Sequence, residues 1–299
     1  MRKIALIIFL GFSTLYNANA QYVELGLFGG ASFYNGDLSH QLIYWNEFHP
    51  AAGIYAGVHF NRYFSLSVQS KFGTISGHDS NSDEEGFKRR NLSFESNIIE
   101  AGVVGEFYFP GYIPGDMRFS PFISLGINWF HFNPTAEYMG SVYDLQPLGT
   151  EGQGTSAFPD REPYALNQIS IPFGVGVKYN LSYNWNLAFE VTFRKTFTDY
   201  LDDLSKTYVD ADILTNENGE LAYALSNRTG EYLGSANADF GNDQKRGSSS
   251  VTDYYIFTGF TISYNLIGVG KNSASRQVDC PGEPSKKQKS GLWDKKMMK

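Results

Sequence analysis

Residues 64–72 read FSLSVQSKF and residues 185–194 read WNLAFEVTFR. In both, apolar residues alternate with small or polar ones. A side-chain period of two gives a strand one oily face and one polar face. Six further stretches carry the pattern, at residues 23–34, 52–60, 99–109, 121–130, 168–179 and 254–264. In the first, Val23, Leu25, Leu27, Ala31 and Phe33 share a face, opposite Glu24, Gly26, Phe28, Gly30 and Ser32. The last is the least clean: Ile256, Phe260 and Ile262 share a face, and Phe257 lies opposite. Each stretch has about the 9 to 11 residues that a tilted membrane strand requires.

The connections alternate in length. Those around Arg62, Gly111 and Tyr183 are short, and those at 35–50, 76–91, 133–167 and 198–252 are long. The expected fold is therefore all-β: an eight-stranded antiparallel transmembrane β-barrel with short periplasmic turns and long extracellular loops. An even strand count returns both termini to the periplasm of a bacterial outer membrane. A soluble barrel of the lipocalin type would show the same period with the faces reversed. The membrane assignment rests on the oily face, nearly continuous Ile, Val, Leu and Phe, and on the other face, which is rich in Gly and charge and would make a poor ligand cup.

The polar face carries Glu24, Lys71, Glu100, Glu106, Lys178, Glu190 and Arg194. Inside a narrow barrel these charges are expected to pair, because an unpaired buried charge is costly. Eight strands leave an interior just wide enough for side chains to fill, so a water-filled pore is not expected.

The ends divide the chain further. Arg2 and Lys3, the apolar run from Ile4 to Leu10, and Ala18-Asn19-Ala20 form the pattern of a secretory signal, so residues 1–20 are expected to be removed. No Cys follows the cleavage site, which argues against a lipoprotein. The barrel is expected over 21–266 and a basic periplasmic tail over 267–299. Aromatic residues make up 16 % of the chain and suit membrane-interface girdles. The formal charge of −7 is uneven, because from Lys271 onward eight Lys and Arg face only Asp279, Glu283 and Asp294. An acidic body and a basic tail should meet different partners. Cys280 is the one cysteine, so an internal disulfide is excluded and an intermolecular one is open. The tail is either a solubilising end or a docking strap, with Leu292 and Trp293 as apolar anchors and Cys280 as a covalent tether.

No catalytic constellation stands out, and no cofactor or metal is expected. His40, His49, His59, His78 and His131 are scattered without metal-ligand spacing. In 198–208, TDYLDDLSKTY, Thr198 is placed to cap a short solvated helix with Leu201, Leu204 and Tyr208 on one stripe. Asp199, Asp202 and Asp203 could instead hold calcium, although they lack an ordered ligand series. Residues 145–154, LQPLGTEGQG, form a Gly-rich segment that is either an ordered surface or a flexible loop. Gly29-Gly30 inside a strand points to a bend or to close backbone packing.

Several segments resemble the PorG-like outer-membrane proteins of Bacteroidota, linked to the type IX secretion system. They are YVELGLFGGASFYNGDL at 22–38, RNLSFES at 90–96, LQPLGTEGQG at 145–154, IPFG at 171–174 and TDYLDDLSKTY at 198–208, with Arg246-Gly247 ahead of Asp253-Tyr254-Tyr255. The resemblance implies a non-enzymatic barrel that acts as an anchor or accessory component of the secretion machine. It also implies association with the periplasmic ring made by a lipoprotein and its partner subunit, PorK and PorN. It supplies no catalytic residues, and the tail lies outside it. The competing expectation is a small outer-membrane channel or ligand-binding barrel. An enzyme embedded in the barrel would need a nucleophile–base pair near the outer rim, and nothing in the loop sequences suggests one.

Overall fold

The computed structural model describes residues 22–39, 45–114, 117–238, 244–249 and 252–266. Eight long strands form the wall: β1 (Tyr22–Asn35), β2 (His49–His59), β3 (Phe64–His78), β4 (Ser93–Tyr108), β5 (Phe119–His131), β8 (Asn167–Asn180), β9 (Trp185–Lys195) and β10 (Tyr254–Leu266). Each pairs antiparallel with its neighbours, and β1 pairs with both β2 and β10, which closes the barrel. The register carries the alternation from strand to strand. Leu27 stands opposite Ile54 on one side and Ile262 on the other, so three apolar side chains form one outward row.

That outer wall is bare. Leu27, Ile54, Val68, Ile123, Leu125, Ile127 and Val175 are all exposed, and Leu125 is 63 % accessible. A belt of this extent does not sit in water, and lipid is the solvent that accepts it. Phe64, Phe119, Tyr179, Trp185 and Tyr264 ring the short-turn end. Trp129, Phe173 and Phe197 lie toward the long-loop end. Lipid-facing surface is thus flanked by aromatic rings at both levels, as interface girdles are. The faces are those of a membrane barrel, the reverse of a lipocalin. None of the described helices is long and apolar enough to cross a membrane.

Local departures from the sequence expectation have physical causes. Ala31, Phe33 and Ile256 lie on the oily face but are buried, packed with Val191, Phe193 and Tyr254, and the Phe48 ring meets Phe33 edge-on at 5.7 Å. The first long loop therefore folds over part of the wall. The third long connection holds a small hairpin, β6 (Pro134–Tyr138) and β7 (Ser141–Asp144), added to the loop end of β4 through Glu95 opposite Thr135. Its strands are too short to show a period. The close-packing alternative at Gly29-Gly30 is the one realised: Gly30 stands opposite Gly259, and a Cβ there would sit 2.1 Å from the Thr258 carbonyl oxygen.

The helix expected at 198–208 does not form. Asp203 takes a φ of 67°, and the Asp202 carboxylate accepts the Leu204 backbone N–H at 3.0 Å. This side-chain bond offers the backbone a turn in place of a helix. Leu201, Leu204 and Tyr208 are nonetheless buried, so the segment is core rather than a solvated face. The helices lie elsewhere: α1 (Glu85–Arg90), α2 (Ala211–Glu217), α3 (Glu220–Ser226) and α4 (Thr229–Leu233).

Candidate functional site

Two buried polar assemblies occupy the molecule, one inside the barrel and one in the loops above it. The inner one begins near the short turns. Glu24 accepts from Lys178 at 2.8 Å and from Asn186 at 3.1 Å, and pairs with His59 Nε2 at 2.7 Å. Tyr22 stacks on His59 at 4.4 Å. Tyr112, from the turn after β4, is buried beside them and donates to Asn186 at 2.7 Å. The two tyrosines close that end of the barrel.

Higher up, Lys71 forms an ion pair with Glu190 and lies 4.3 Å from the centre of the Phe28 ring. Glu106 accepts from Ser65 at 2.9 Å and also from Tyr108. Under the long loops, Arg194 donates to Glu100 at 2.8 Å through Nη2 and at 3.1 Å through Nε. Tyr255 adds a bond to Glu100 at 2.9 Å, and the Arg194 guanidinium lies 4.5 Å from the Phe257 ring. All seven charged residues expected inside are buried there, each with a partner of opposite charge or a hydroxyl. His59 and Tyr255 are members that the charge pattern alone did not reveal. His59 sits at inward parity on β2, two residues beyond Gly57 and four beyond Tyr55, and that spacing was its available signal. A void of about 20 Å³ remains among Glu24, Tyr55, Lys71, Glu106, Lys178 and Glu190. This is room for a water molecule rather than a path.

The outer assembly joins segments far apart in the chain. Arg246, 2 % exposed, reaches Glu151 at 3.2 Å and Asp203 at 3.4 Å, and donates to the Ser226 carbonyl at 3.1 Å. Glu151 also accepts the backbone N–H groups of Ser205 and Lys206, and Asp203 accepts from Tyr164 at 2.7 Å and from Thr150. Arg90 grips Asp79 with two bonds of 2.7 Å and donates to the carbonyls of Arg246 and Asp37. Asp37 in turn accepts the Ser248 N–H at 2.6 Å. Beneath this knot lie Leu38, Leu92, Phe94, Phe132, Leu145, Leu201, Leu204 and Leu225, one apolar core continuous with Phe130 and Phe257 at the barrel mouth. Gly149, Gly152 and Gly154 all take positive φ, so the Gly-rich segment is an ordered turn that brings Glu151 inward.

Burial raises the pKa of Glu151 and of Asp203, with Arg246 opposing the shift in each. Burial also raises Asp202, with the Tyr34 bond opposing and Asp37 adding, and it raises Asp253, with Asp202 and Asp199 adding. Asp199 is pushed up to about 7 by burial, with Ser205 opposing and Asp37 and Glu151 adding. Asp199, Asp202 and Asp203 do not share a centre. Asp202 accepts from Tyr34 at 2.5 Å, Asp203 faces Arg246, Thr150 and Tyr164, and both Asp199 oxygens are buried short of hydrogen-bond geometry. Among the described residues no group of three or more His, Cys, Asp or Glu is placed to hold a metal ion. Cys280, Leu292 and Trp293 lie outside the described residues.

A family model for a domain of unknown function, DUF6089, matches residues 2–223 and ends within α3. No curated protein sequence matches significantly. Among solved structures, the chain is similar to the N-terminal β-barrel domain of Pseudomonas aeruginosa OprF, at 12 % identity over 83 % of this chain and 98 % of that one, TM-score 0.33. It is similar to Yersinia pestis Ail, solved with the heparin analogue sucrose octasulfate, at 7 % identity over 82 % and 98 %, TM-score 0.39. It is also similar to Pseudomonas aeruginosa OprG, at 9 % identity over 83 % and 98 %, TM-score 0.34. At these levels none of the three assigns a ligand or an activity to this chain.

Proposed function

We propose that this chain, which belongs to the DUF6089 family of unknown function, is a non-enzymatic outer-membrane anchor of the type IX secretion machinery. The long loops face outward, both termini are periplasmic, and the short turns with the basic tail hold the periplasmic ring subunits PorK and PorN. The division into signal, barrel and tail at residues 20 and 266 belongs to the same proposal. The observation that carries the anchor role over a channel is the filled interior. Glu24, Lys178, Lys71, Glu190, Glu100 and Arg194 occupy the lumen as paired charges, and a void among Glu24, Lys71, Lys178 and Glu190 is only about 20 Å³. The link to secretion is supported by the resemblance segments. Those at 90–96, 145–154, 198–208 and 246–247 supply Arg90, Glu151, Asp203 and Arg246, which meet in one knot.

The test is capture of the tagged full chain from outer membranes in mild detergent, followed by mass spectrometry. Recovery of the ring lipoprotein and its partner subunit is expected. Clean recovery of the barrel without either would overturn the anchor role. Non-reducing gels of wild type and Cys280→Ala test the tether separately, with a shifted species expected in wild type alone.

A further inference from the structure

On the outer wall, Ile171, Lys195 and Tyr254 stand in one cross-strand row, and Phe173, Phe193 and Ile256 stand in the next. Lys195 ends β9 and Tyr254 begins β10, so this is where the apolar belt gives way to the loops. Between the rows runs a groove of about 220 Å³ lined by Phe173, Phe193, Lys195, Thr252 and Tyr254. Its shape has a local cause. Ala31, Phe33 and Ile256 are buried against Phe193 and Tyr254, so the wall is flush there. The Phe173 and Phe193 rings, stacked at 5.6 Å, stand beside it. Lys195 is exposed, and among the described residues no carboxylate lies within ion-pair distance of it.

An aromatic-walled groove in the lipid-facing belt accepts an acyl chain, and a lysine at its loop-side rim with no counter-charge among the described residues accepts an anionic head. We propose that this groove binds a phosphorylated glycolipid of the outer leaflet, lipid A in class. One acyl chain lies against Phe173 and Phe193, and a phosphate sits on Lys195. The choice of leaflet rests on the outward placement of the loops proposed above; the binding itself needs no secretion partner.

The experiment is native mass spectrometry of the full chain in a neutral detergent, titrated with purified lipid A. One tightly retained lipid A per chain is expected. Lys195→Gln should weaken retention about tenfold, the scale of one charge-assisted bond, and Lys195→Arg should preserve it. Phe173→Ala should weaken it as well. Ile127→Ala, an exposed belt position on β5 away from the groove, should not. Equal retention by wild type and Lys195→Gln would overturn the site. Equal loss in Ile127→Ala would show general coating of the belt and would also overturn it. Retention of phosphatidic acid with rejection of lipid A would overturn the outer-leaflet assignment, and a dimer that excludes lipid would replace the lipid with a second copy. None of these outcomes depends on whether ring subunits are captured.

Discussion

Arg246 is surrounded by protein on every side, and its guanidinium is the counter-charge of both Glu151 and Asp203. Removing one partner of a buried pair leaves the other charge stranded, at a cost of about 3–5 kcal/mol. Arg246→Met should therefore open the loop cap to protease between residues 198 and 253. The barrel should keep its folded, heat-modifiable band on gels; unchanged protease resistance would show that Arg246 is not the keystone. Asp199 tests the same knot through pH. Its folded pKa of about 7 lies above the roughly 3.9 of an unfolded Asp. The folded cap thus binds the proton more tightly, and its stability falls as pH rises between those values. Asp202, Asp203, Asp253 and Glu151 are raised too, so they push in the same direction. Amide exchange across 198–208, corrected for intrinsic rate, should be faster at about pH 8 than at about pH 5, and Asp199→Asn should reduce the difference. Exchange that slows as pH rises would contradict the assignment.

Strands and loops differed in what the sequence alone could tell. Each wall strand repeats one instruction every second residue, and antiparallel register passes it to the neighbour, so the faces of Glu24, Lys71, Glu190 and Arg194 could be read directly. Phe257, out of step on paper, faces inward against Arg194 and Tyr255. The cap carries no period. Its order comes from bonds such as Arg90 to the Arg246 carbonyl, between residues 156 apart, and from turns in which Asp202 and Asp203 replace the expected helix. Local spacing cannot encode such contacts, and for that reason the apolar stripe in TDYLDDLSKTY points to a solvated helix where the chain instead makes a buried turn. The seam between β1 and β10 is where the element scale can be tested. Gly30→Ala places a Cβ 2.1 Å from the Thr258 carbonyl oxygen and 2.7 Å from the Gly259 Cα. The cost should be about 3 kcal/mol, as for overpacking elsewhere, read as a lower urea midpoint for the barrel in lipid vesicles. Gly29→Ala, where a Cβ meets nothing within 4 Å, should be neutral. Equal behaviour of the two variants would mean that the seam is not closely packed.

At the scale of the whole molecule, the two polar assemblies and the apolar belt make one body closed at both ends. Tyr22 and Tyr112 shut the short-turn side, the loop cap shuts the other, and paired charges fill the space between. Buried ion pairs are a poor way to gain stability, since a packed apolar core of equal volume does as well or better. In a membrane wall the alternation forces some inward polarity, because an oily inward face would remove the contrast that orients each strand. Pairing the charges with one another or with hydroxyls is then the least costly filling, and the void among Glu24, Lys71, Lys178 and Glu190 has room for a water molecule rather than a path. A steady ion path should accordingly be absent. Purified full chain in planar bilayers should show no stable open level. Tyr112→Gly should stay silent as well, because the Glu24–Lys178–His59 layer and then the Lys71–Glu190 pair lie behind the removed ring. A reproducible conductance in wild type would reverse the filled-lumen assignment and place the protein among channels. A conductance that appears only in Tyr112→Gly would show that one tyrosine, not the charge layers, holds the barrel closed.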